Sequence, residues 1–120
     1  MKKILVVEDM EINVDLLVQL LEDDYELVVA KDGEEGLRMV AEEKPDLILM
    51  DMTLPVMDGW ETTRKIKSDE AIKHIPVIGI SSHAMSGDAE RAKEAGCDDY
   101  LTKPLDDELL FQLLAKYLGG

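Results

Sequence analysis

Three acids, a hydroxyl and a lysine stand at the ends of short strand-like segments in this 120-residue chain, and together they suit phosphoryl or metal chemistry. Glu8 and Asp9 follow the apolar run 4–7, Asp51 follows 47–50, Ser81 follows 75–80, and Lys103 follows 99–102. A carboxylate at the carboxyl end of a buried strand sits where open α/β sheets place their chemistry. Carboxylates gathered in one crevice repel and raise one another's pKa unless a hard divalent cation or a fixed ammonium joins them. A few oxygen ligands suit Mg²⁺, which keeps several waters and pairs with phosphate oxygens; Mn²⁺ is a substitute with the same preference. Beside such an ion, Asp51 can attack phosphorus and form an acyl phosphate. Lys103 would take charge from the phosphoryl oxygens, and Ser81 could donate a hydrogen bond to one of them. Singly, each residue has a plainer role, since Asp often ends a strand or caps a turn and Lys is usually solvated. The weight comes from five arriving together.

Strands that all end on one edge are what this convergence needs. The run 47–50, Leu-Ile-Leu-Met, shows no alternation and reads as a strand covered on both faces, bounded before by Pro45 and after by Pro55 and Asp58-Gly59. The run 4–7 is of the same kind, and 25–30, 75–80 and 99–102 complete five strands. Pro76 is expected at the first residues of its strand and not in its middle. Between them lie amphipathic helices over 12–21, 34–43, 60–67 and 88–95, then a last one capped by Asp106. Ile12, Leu16, Leu17, Leu20 and Leu21 are expected to form one apolar face of the first helix. Leu109, Leu110, Leu113, Leu114 and Tyr117 are expected to do the same in the last. Gly96 is expected just past the end of the fourth, where a left-handed residue is favoured. Strictly alternating strands and helices imply right-handed crossovers and a parallel sheet with helices on both faces.

The totals narrow the field. One domain over residues 1–120 is expected, with an aliphatic core, because 46% of residues are hydrophobic and only 4% aromatic. Acids outnumber bases 27 to 13, for a net charge of −14, which opposes direct binding to nucleic acid or anionic membranes. Cys97 is the single cysteine and reads as a small buried hydrophobe, so no internal disulfide forms. Only residues 4–7 are apolar between Lys3 and Glu8, too short for an export signal, and no run approaches a membrane span. A cytoplasmic protein is expected. The two histidines, His74 and His83, do not form a metal cluster; His83 could tune access to the acidic edge.

Four segments carry a resemblance. They are Ile-Leu-Val-Val-Glu-Asp (4–9), Pro-Asp-Leu-Ile-Leu-Met-Asp-Met-Thr-Leu-Pro-Val-Met-Asp-Gly (45–59), Ile-Pro-Val-Ile-Gly-Ile-Ser-Ser-His-Ala (75–84) and Gly-Cys-Asp-Asp-Tyr-Leu-Thr-Lys-Pro (96–104). In this order and spacing the chain resembles the receiver domain of two-component response regulators over essentially its whole length. The resemblance implies a doubly wound (βα)5 α/β fold, flavodoxin-like or CheY-like, with a five-stranded parallel sheet in the order 2-1-3-4-5. It implies Asp51 as phosphoacceptor, and Glu8, Asp9, Asp51 and the backbone carbonyl of Thr53 as ligands of Mg²⁺. Ser81 becomes the switch hydroxyl, Tyr100 the switch aromatic, and Lys103 the phosphate-binding lysine ahead of a cis peptide to Pro104. Glu8 stands where the family more often has Asp, and Ser81 where Thr is commoner.

On this reading a sensor histidine kinase or histidine phosphotransfer protein supplies the phosphoryl group. Ser81 then moves inward and Tyr100 turns from outside to inside. The face made by the fourth helix, fifth strand and fifth helix changes, and a downstream protein reads it. The chain carries no output domain, so it acts alone through a partner or is cut from something longer; it would assist its own phosphorylation and dephosphorylation without being an enzyme otherwise. Two rivals are weaker. A haloacid-dehalogenase-like phosphatase needs a second acid two residues after its nucleophile, where this chain has Thr53. A pseudo-receiver typically lacks an acid, the acceptor or the lysine, and here all are present.

Overall fold

Apolar alternation about the sheet plane divides the core in two. In the computed structural model, described for residues 1–54, 57–81, 88–103 and 105–119 (backbone only at 88 and 89), ten elements alternate. They are β1 (Lys3–Val7), α1 (Glu11–Leu21), β2 (Glu26–Ala30), α2 (Gly33–Glu43), β3 (Leu47–Asp51), α3 (Gly59–Ser68), β4 (Val77–Ser81), α4 (Asp88–Ala95), β5 (Asp99–Thr102) and α5 (Asp107–Leu118). The strands form one parallel sheet in the order β2-β1-β3-β4-β5, as the resemblance implies. Ile4, Val6, Leu47, Leu49, Ile78 and Ile80 point to one face, which α1 and α5 cover with Leu17, Leu21, Leu110 and Leu114. Leu5, Val7, Ile48, Met50 and Val77 point to the other, covered through Val40, Trp60, Ile66, Ala92 and Ala95 of α2, α3 and α4. Each fully buried leucine contributes about 2 kcal/mol.

Local chemistry sets the element ends. Asp32, Asp58 and Asp106 accept from the backbone N–H groups of Glu35, Glu61 and Leu109 at 2.7, 2.9 and 3.2 Å, three N-caps. Gly96 has φ +109° and its N–H bonds the Ala92 carbonyl at 3.2 Å, closing α4 as expected. Cys97 is buried with its thiol pushed up to about 11, by burial above all.

Two strands are shorter than the sequence suggests. Tyr25 is drawn into the turn that ends α1, its N–H bonding the Leu21 carbonyl at 3.0 Å, so β2 starts one residue later. Ile75 likewise bonds back to Ile72, and Pro76 has no N–H to give; it enters the sheet only through its carbonyl, which accepts from Ile48 at 2.9 Å. The helix faces differ too. Leu17 and Leu21 are buried, but Ile12 and Leu16 stand 72% and 47% exposed, and on α5 Leu109 is exposed. At 100° per residue the apolar positions of α1 spread over roughly two thirds of its circumference, more than one sheet face can cover.

Candidate functional site

The carboxyl ends of β1 and β3 are neighbours in the sheet, with Val7 opposite Met50. The residues that follow them therefore meet. Glu8, Asp9 and Asp51 each present a carboxylate oxygen, and the three oxygens lie within 4.8 Å of one another. Glu8 and Asp51 are 3% and 4% exposed, whereas Asp9 is open to solvent. Backbone bonds orient both buried acids. Glu8 Oε2 accepts from the N–H groups of Asp9 and Met10 at 3.0 and 3.3 Å, and Asp51 Oδ1 accepts from that of Thr53 at 2.9 Å.

Lys103 comes from the far side of the sheet. Its N–H bonds the Ser81 carbonyl at 2.8 Å, one step beyond the β4–β5 ladder, and its side chain reaches back over β4 and β3. Lys103 Nζ donates to Glu8 Oε1 at 2.9 Å and lies 3.7 Å from Asp51 Oδ2. Ser81 is buried on β4, one register step past Ile80, which faces Asp51. Glu8, Asp9, Asp51 and Lys103 are thus brought together by distance and Ser81 by register. Thr53 touches the cluster through its N–H. Tyr100 stands apart from it, opposite Gly79 of β4, and packs against the core on the α4 side. Its ring is half-buried, and its hydroxyl oxygen is buried with no hydrogen-bond partner among the described residues. His83, Ser82, Pro55 and the peptide to Pro104 lie outside the described residues.

The two buried acids share the electrostatic load unequally. Burial pushes Asp51 up to about 7, and the hydrogen bond and charge of Glu8 add to it, against the Thr53 N–H and Lys103. For Glu8, burial acts upward, but its bonds with Asp51 and Lys103 outweigh that and hold it below the usual carboxylate range. Asp51 is accordingly the more readily protonated acid of the pair, and the Lys103 ammonium pairs with Glu8. This donor set fits a magnesium ion: three hard oxygens, two of them pre-oriented, at a rim open to solvent through Asp9. A divalent cation supplies there the positive charge that otherwise only a proton and Lys103 provide.

Sequence reasoning missed the rim of the site. A cavity of about 190 Å³ opens beside the acids, lined by Glu8, Asn13, Leu16, Leu17, Ile80, Lys103 and Leu105. The over-wide apolar arc of α1 was the available signal. Missed as well was that Lys103 pairs with Glu8, since no local pattern links residues 95 positions apart.

Comparisons with known proteins agree with this geometry. Residues 4–115 match the model of the response regulator receiver domain. The polar-differentiation response regulator DivK of Brucella anthropi is 40% identical over 119 residues, covering 98% of this chain and 97% of its own length. The receiver domain of the sensor histidine kinase PA1611 from Pseudomonas aeruginosa, crystallised with a magnesium ion in its active-site cleft, superposes with a TM-score of 0.90 at 34% identity, over 99% of this chain and 98% of its own. The receiver domain of Ssk1 from Saccharomyces cerevisiae, crystallised with the histidine phosphotransfer protein Ypd1, gives 0.89 at 28% identity, over 97% and 88% of the two chains. This chain belongs to the response regulator receiver domain family.

Proposed function

We propose that Asp51 is the phosphoacceptor and that a phosphohistidine on a sensor histidine kinase or histidine phosphotransfer protein is its donor. The observation that carries this is the meeting of three carboxylate oxygens within 4.8 Å, with the Lys103 ammonium 3.7 Å from Asp51. Glu8, Asp9, Asp51 and the Thr53 carbonyl would hold Mg²⁺, or Mn²⁺ in its place, which supplies charge neutralisation to the phosphoryl oxygens. An Asp51 carboxylate oxygen forms the bond to phosphorus, the N–P bond of the donor breaks, and the imidazole nitrogen leaves with the electron pair. Lys103, relieved of part of its duty to Glu8, contacts a phosphoryl oxygen, and the Ser81 hydroxyl donates to another. Attack of water on phosphorus releases phosphate from Asp51 and resets the switch. No external substrate is turned over beyond this cycle. The added charge acts through Ser81 and Tyr100 on the face built by α4, β5 and α5, which a downstream protein reads.

The donor would dock over α1. Ile12, Leu16 and Met10 are exposed there, and the cavity beside Leu16 and Leu105 opens onto Glu8 and Lys103. An apolar patch rimming a polar pocket fits a helical partner that must place its phosphohistidine above Asp51. Incubation with a small acyl-phosphate donor and Mg²⁺ should give acid-labile phosphoprotein, lost in Asp51→Asn; unchanged labelling of that variant refutes the assignment.

A further inference from the structure

Trp60 and Arg91 take no part in the acid pocket, yet they join α3 to α4. The Arg91 guanidinium lies 4.4 Å from the centroid of the Trp60 ring. With Arg91 over it the indole is 7% exposed, while Arg91 itself is open to solvent. Trp60 follows Gly59, and this first turn of α3 presses on the backbone of Asp51. A Cβ on Gly59 would lie 2.4 Å from the Asp51 carbonyl oxygen. The Gly59 N–H also bonds the Met52 carbonyl at 3.3 Å. Arg91 thus rests on a side chain whose own helix rests on Asp51.

Among the described residues, little else fixes α4. Its buried side chains among those described are Ala92 and Ala95, each offering one methyl group. By contrast, α5 buries Leu110 and Leu114 and is clasped to β5, where the Tyr117 hydroxyl donates to Asp99 at 2.7 Å and lies 3.0 Å from the Asp98 carbonyl oxygen. The same cation–π contact is a minor addition for an element anchored like α5 and a large share of what positions α4.

We propose that Arg91 and Trp60 form a latch that sets the resting position of α4 and couples it, through the first turn of α3, to the backbone at Asp51. The latch stands on the contact alone; the coupling rests on the reading of Asp51 as phosphoacceptor.

Amide hydrogen exchange on the metal-free protein tests the latch. Arg91→Met, which keeps the stem and drops the charge, and Trp60→Leu should each speed exchange in α4 about two- to five-fold, with α5 unchanged. The double variant should be no faster than the faster single one, and Arg91→Lys should lie between Arg91→Met and wild type. Additive acceleration in the double variant, an equal effect on α5, or no change in α4 overturns the latch. Mg²⁺ with beryllofluoride, an acyl-phosphate mimic, then tests the coupling. The α4 response in Arg91→Met should be at most about half that of wild type, while amides 52–54 respond alike in both. Equal α4 responses overturn the coupling. Absence of any response near residue 51, even in wild type, counts against the Asp51 assignment and leaves the latch result standing.

Discussion

Replacing Asp51 by Asn in the metal-free protein isolates the cost of crowding two acids in one buried pocket. Asn keeps the shape and can still accept from the Thr53 N–H, which Asp51 Oδ1 does at 2.9 Å. In the unfolded chain Asp51 ionises near its usual 3.8, whereas burial and Glu8 raise it to about 7 in the native state. Between those values the native protein holds one proton more than the unfolded chain, so stability is lost as pH rises through the window. One proton amounts to about 1.4 kcal/mol per pH unit. Over the two units from pH 5 to pH 7 the upper bound is about 3 kcal/mol, and Lys103, answering to both acids, lowers it to roughly 1–3 kcal/mol. Urea unfolding in EDTA at about pH 5, 6, 7 and 8 measures the difference between variant and wild type, in which titrating groups remote from residue 51 cancel. The advantage of Asn should grow by roughly 1–3 kcal/mol across this range and level off above about pH 7. Added Mg²⁺ should shrink it by stabilising the wild type alone. Parallel stability curves for the two proteins in EDTA would refute the account of the pocket.

Other outcomes follow from the same geometry. Lys103→Met removes the cation that Glu8 contacts at 2.9 Å, so the metal-free protein should lose about 2 kcal/mol by urea unfolding and hold the phosphoryl group on Asp51 poorly. Gly59→Ala drives a methyl group against the Asp51 carbonyl, 2.4 Å away; a loss of about 3 kcal/mol is expected, and a loss below about 1 would show that α3 can shift freely. The pair Ile12→Ser and Leu16→Ser should leave stability within about 0.5 kcal/mol each, since both side chains are exposed. Phosphotransfer from the protein donor should nonetheless slow at least about tenfold, with labelling by the small acyl-phosphate donor unchanged, the split expected of a docking surface.

Much of the fold was legible because its signals are local. Apolar runs of four or five residues, the capping aspartate at 106, and Gly96 after α4 each act through neighbours in the chain. Even the misjudged strand ends, Tyr25 and Ile75, were lost to adjacent helical turns that competed for the same N–H groups. The faces of α1 were not legible. Five apolar residues at helical spacing say that a helix is amphipathic, but the position of the sheet decides which of them it covers, and it left Ile12 and Leu16 outside.

By itself the sequence determined which groups reach the active edge. A strand that ends at residue 7 or 50 must deliver the next side chain there once all strands run the same way, so Glu8, Asp9, Asp51, Ser81 and Lys103 needed no distances to be named. Only the tertiary structure decided how they divide the charge among them. That Asp51 is the more readily protonated acid depends on its burial first, then on Glu8, and on gaps of 2.9 and 3.7 Å that put Lys103 nearer to Glu8 than to Asp51, between side chains from three different strands. Electrostatic energy varies with such gaps and with the burial around them, and neither is encoded at any single position in the chain.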